Sequence, residues 1–171
     1  YSDIGRAFGA QMVDISIGSK THINLLDLPD LDRLDDEDDD PIGDKANLLM
    51  GLFESILSEV TDAQIGIIDR VTGMTYERYL TDHYTPTLKE WHQVLKEQPE
   101  PEAQDLALAV ETYTTGSQDI FAHNTNVDLN HRFVIFNLKK LSHKLKPFAL
   151  MVIQDYIWNQ IVENQGKCTT W

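Results

Sequence analysis

The sequence predicts an α/β fold in which strand elements at both ends flank an inserted, all-α helical unit. Three observations carry this. Met12-Val13-Asp14-Ile15-Ser16-Ile17 alternates apolar and polar residues, as a half-buried strand does. Arg132-Phe133-Val134-Ile135-Phe136-Asn137-Leu138 is a nearly continuous apolar run, which suits a strand covered on both faces and hence a parallel sheet flanked by helices. Between them the chain shows helical spacing and helix start signals.

Gly18-Ser19 marks a turn after the first strand, and His22 to Leu28 reads as a second extended apolar segment. Asp35-Asp36-Glu37-Asp38-Asp39-Asp40, followed by Pro41, is the densest charge run. Like charges this close repel, which predicts an acidic, flexible, solvated loop over 30–44. Leu49, Leu52, Phe53, Ile56, Leu57 and Val60 recur at three- and four-residue spacing, one face of a helix. Thr61 with Gln64 makes a capping-box pair and opens a second helix carrying Ile65, Ile68, Tyr76, Tyr79 and Leu80. Thr87 with Glu90 opens a third, with Leu88, Trp91 and Leu95, which Pro99 and Pro101 are expected to end. A fourth turns Ala103, Leu106, Ala107, Val110 and Tyr113 inward and stops at Gly116. After the apolar strand, Pro147 suits the first turn of a last helix running from Phe148 to about Glu163, with Gly166 marking its end. Its first half is apolar almost all round, which predicts burial against the sheet. Residues 1–29 and 127–171 are therefore read as pieces of an α/β core, 30–44 as the acidic loop and 45–126 as a helical subdomain.

Composition narrows the function. The chain has 171 residues, 42% of them hydrophobic, enough for one domain with a real core or a domain with a small insertion. Its formal charge is −14, from 28 acidic and 14 basic residues. Such a surface repels nucleic-acid phosphate, which is bound through Lys and Arg, so no direct nucleic acid binding is expected and the charge serves solubility. The single cysteine, Cys168, forms no internal disulfide and fits a reducing compartment. The longest apolar stretch, Phe148 to Ile153, is far below the ~20 residues of a membrane span, so membrane contact is expected only through partners. The chain begins at Tyr1 without Met, shows no signal peptide, and stops at Cys168-Thr169-Thr170-Trp171 as if approaching a strand. An internal segment of a longer protein is the expectation.

No catalytic, cofactor-binding or metal residue is assigned. Gly18-Ser19-Lys20-Thr21 is the nearest text to a phosphate loop, but the first Gly is absent and Ser19 separates Gly18 from Lys20; a polar turn is the better reading. Counting a calcium loop from Asp30 puts Asp35 where Gly is required. His22, His83, His92, His123, His131 and His143 show no metal-ligand spacing, although His123 and His131 are near enough in sequence to meet in space. Cys168 has no neighbouring base in sequence. Arg132 precedes the apolar strand, where an arginine at a ring ATPase's subunit edge stabilises transferring phosphate, but an ordinary charge at a strand start is the simpler reading. The apolar bundle face with Phe53, Tyr76 and Trp91 reads as core, leaving the polar outer face for contacts.

Several stretches together resemble the ATPases of conjugative elements, the TraC/TraE-like type IV secretion motors of the HerA/FtsK type. They are Tyr1 followed by Ala10 through Leu28, with Leu25 where the family has a small residue or Pro; Ile67-Ile68-Asp69-Arg70; Gln98-Pro99-Glu100-Pro101-Glu102-Ala103-Gln104 through Ala109; Thr115-Gly116-Ser117 with Phe121-Ala122 and Asn124-Thr125-Asn126-Val127; and Arg132 through Leu138 with Leu145-Lys146-Pro147 and the helix ending near Trp158-Asn159. The resemblance spans essentially the whole chain. It implies part of a RecA-like parallel sheet with an inserted helical subdomain, in a parent that uses ATP and Mg to power conjugative DNA transfer. The family's phosphate loop would lie upstream of Tyr1 and its acidic metal-and-water motif on a strand after Trp171, so this segment would bind no cofactor and be inactive alone. It would supply scaffold and contacts to other subunits of a homo-oligomeric motor and to secretion-channel proteins, in the cytoplasm, with the parent at the cytoplasmic face of the membrane. The alternative is a stand-alone, non-enzymatic protein-interaction module. A divalent-ion sensor built on 30–44 is a third reading.

Overall fold

A computed structural model describes residues 9–29, 40–127 and 133–163. Two short strands, β1 (Gln11–Asp14) and β2 (Val134–Asn137), pair in parallel, from Gln11 opposite Val134 to Asp14 opposite Asn137. A parallel pair cannot be closed by a hairpin and needs a long crossover. Here the crossover carries four helices: α1 (Pro41–Ile56), α2 (Asp62–Tyr79), α3 (Leu88–Lys96) and α4 (Pro101–Thr114). A fifth, α5 (Leu145–Glu163), follows β2. The architecture is thus α/β with a helical unit inserted between the two strands.

Local signals explain most helix boundaries. Both capping boxes form, Thr61 with Gln64 and Thr87 with Glu90. The Asp40 side chain accepts from the Gly43 amide and Pro41 takes the first helical position, so α1 begins inside the stretch read as loop 30–44. An acidic cap and a proline with preset φ favour that start. For the same reason Pro101 opens α4 instead of ending α3, which closes at Lys96. Gly116 does end α4, but without the left-handed conformation. Its amide donates to Glu111 O at 2.8 Å, and a Cβ there would come within 2.7 Å of Thr112 Cα.

The inward faces of α1 to α4 close around Trp91. It is fully buried, lies 5.3 Å from the Phe53 ring and donates Nε1–H to Thr72 Oγ1 at 3.0 Å, so the polar atom of this large apolar side chain is satisfied. Leu49, Leu52 and Ile56 of α1, Ile68 and Val71 of α2, and Leu106 and Val110 of α4 complete the core.

Three expectations are corrected. His22 to Leu28 forms no strand; Leu25 and Leu26 are buried in a turn. β2 is half-buried along its length and Phe133 beside it is 52% exposed; among the described residues β2 pairs only with β1. α5 starts at Leu145 and packs chiefly on α1, not the sheet, leaving Leu150 and Trp158 57% and 64% exposed. A helix that is apolar all round has no single face that must be buried. Arg132, Gly166, Cys168 and residues 30–39 of the acidic loop lie outside the described residues.

Two outcomes follow from these helices. Thr87→Ala removes the acceptor for the Lys89 amide and the hydroxyl that donates to Glu90 at 2.6 Å, and is expected to lower stability by about 1 kcal/mol in urea unfolding. His92 is 2% exposed, its Nε2 lies 2.9 Å from Ala107 O, and its Nδ1 has no partner among the described residues. Burial holds its pKa below the ordinary 6.5. The unfolded chain takes up a proton that the folded state refuses, so stability falls as pH drops below about 6.5. Urea midpoints measured down through that window are expected to fall less steeply for His92→Gln; an unchanged slope would contradict the assignment.

Candidate functional site

The segment from His22 to Leu28 has no strand ladder, so its buried backbone groups must find other partners. They find them in side chains of α2, α5 and the connection after α4, and in backbone groups such as Phe121 O, which accepts from the Leu25 amide. The His22 amide donates to Asn126 Oδ1 at 2.8 Å and the Asn24 amide to Thr125 Oγ1 at 2.7 Å. Asn24 Oδ1 accepts from the Leu26 amide at 3.1 Å, an Asx turn, while its Nδ2 donates to Pro86 O, just before α3, at 3.0 Å. Tyr76 of α2 donates its hydroxyl to Leu26 O at 2.7 Å. Asn159 of α5 donates to Asp27 O at 3.1 Å. One turn therefore ties together the α/β part, the helical unit, the connection after α4 and the last helix.

Charge is buried in the same seam. Lys45, in the first turn of α1, forms an ion pair with Asp155 in the middle of α5, their side chains 4% and 23% exposed. Asp27 accepts a hydrogen bond from Thr125 Oγ1. Burial pushes the Asp27 carboxyl up, opposed by the Thr125 hydroxyl and the Lys45 charge. Burial also raises Asp155, again opposed by Lys45. Burial, reinforced by the nearby carboxylates of Asp155 and Asp27, lifts Tyr76 far above the ordinary phenol range, so it stays a donor. The arrangement is mechanical: it fixes how the helical unit and α5 sit on the turn at Asn24 to Asp27.

The residues singled out in the sequence fall elsewhere. Gly18 has φ of +75°, the Ser19 amide donates to Ser16 O at 3.0 Å and the Thr21 amide to Ser19 Oγ at 3.0 Å. A phosphate cradle needs free amides, and those of Ser19 and Thr21 are bonded within the turn, as in an ordinary polar turn. His123 meets His22, ring centroids 4.4 Å apart, and its Nε2 lies 2.9 Å from Asp119 Oδ2. His131 lies outside the described residues, while His83 and His143 are exposed. Among the described residues no three His, Cys, Asp or Glu side chains gather as a metal site. Sequence reasoning missed Lys45 and Asp155. The signals were a lysine at the start of an apolar-faced helix and a carboxylate interrupting α5, but their pairing across the chain is not encoded in spacing.

Lys45→Met leaves Asp155 unpaired in the seam and is expected to cost about 3 kcal/mol in thermal or urea unfolding, whereas Lys45→Met with Asp155→Leu should recover most of that loss. A single variant within experimental error of the parent chain would show that the pair does not hold the seam.

No family model matches the sequence, and no curated protein does. A solved structure does match. VirB4 of Thermoanaerobacter pseudethanolicus superposes on 94% of this chain with a TM-score of 0.76 at 18% identity. The chain has the fold of that part of VirB4 and spans 46% of that protein's length.

Proposed function

We propose that the chain is an internal segment of a VirB4/TraC-like type IV secretion ATPase, lying between the phosphate loop and the acidic metal-and-water motif, and that it supplies scaffold and contacts rather than catalytic groups. The observation that carries this is the shared fold with VirB4, a type IV secretion ATPase, over nearly the whole chain. The sequence motifs point the same way independently. The parallel β1–β2 pair interrupted by a helical insertion supports the reading of the α/β part as a portion of a RecA-like core.

In this reading ATP and Mg belong to parts of the parent outside this segment. In the Gly18–Thr21 turn the Ser19 and Thr21 amides are already bonded within the turn, and no step of hydrolysis is assigned to residues of this chain. The segment instead carries the helical subdomain, fixed to the core by the buried seam, toward other subunits of a homo-oligomeric motor and toward secretion-channel proteins. The parent drives conjugative transfer from the cytoplasmic face of the membrane. Among the described residues no helix is long and apolar enough to cross a membrane, and the segment meets the membrane through partners.

Mg-ATP turnover tests this. The isolated chain is expected to show only background hydrolysis, a polypeptide extended at both ends to turn ATP over, and Lys20→Ala in the extended protein to leave that rate unchanged. Turnover by the isolated chain, or its loss in the extended Lys20→Ala variant, would overturn the reading.

A further inference from the structure

We draw no further inference here: the strongest candidate, the apolar groove between α1 and α5 lined by Leu48, Met151, Ile157, Trp158 and Ile161, carries nothing because nothing in the structure shows what covers it.

Discussion

The ion pair of Lys45 with Asp155 and the hydrogen bonds around Asn24 and Asp27 form the constraint on which the rest of this molecule depends. Among the described residues the sheet has two strands of four residues each, and isolated pairs of strands are marginal in water, too little to hold five helices in place. The orientation of the helical unit is fixed instead at the turn around Asn24 to Asp27. There one turn accepts or donates hydrogen bonds to Tyr76, Pro86, Thr125, Asn126 and Asn159. Buried polar groups of this kind are costly when unpaired and strongly directional when paired. The seam therefore specifies one arrangement more sharply than apolar packing does, and the buried lysine and carboxylates make departures from that arrangement expensive.

The seam also gives the insertion a mechanical sense. The helical unit is long-range crossover and independent bundle at once, with its own core around Trp91 and Phe53. A bundle tethered only at its two ends would transmit little to the strands it interrupts. Here the turn at Asn24 to Asp27 carries hydrogen bonds from Tyr76 of the bundle and from Asn159 of α5, so the bundle and the last helix are joined to the same turn. Such a joint holds the inserted unit and the last helix in one arrangement.

Much of this was legible in the residues. The four inserted helices follow from apolar spacing and from the Thr61 and Thr87 capping boxes, because these signals are local. The parallel pairing of β2 followed from its apolar run. What failed was non-local. Pro101 opens a helix rather than closing one, since the same residue suits either position and only the neighbouring turn decides. The uniformly apolar face of α5 could not say which side would pack. The seam was half visible: Asn24, Asp27, Thr125 and Asn126 lay in the stretches that carried the family resemblance, yet Lys45 and Asp155 looked like ordinary charges. Their meaning comes from burial and from a partner 110 residues away, neither of which a periodicity reports.

The proposed place of this chain in a larger ATPase is tested most directly by reading the coding sequence on both sides of it. A glycine-rich loop ending in Gly-Lys-Ser or Gly-Lys-Thr before Tyr1, together with an apolar strand ending in Asp-Glu soon after Trp171, is the result this account predicts. Start and stop codons at these two positions would contradict it and leave a stand-alone module with a fold borrowed from a motor.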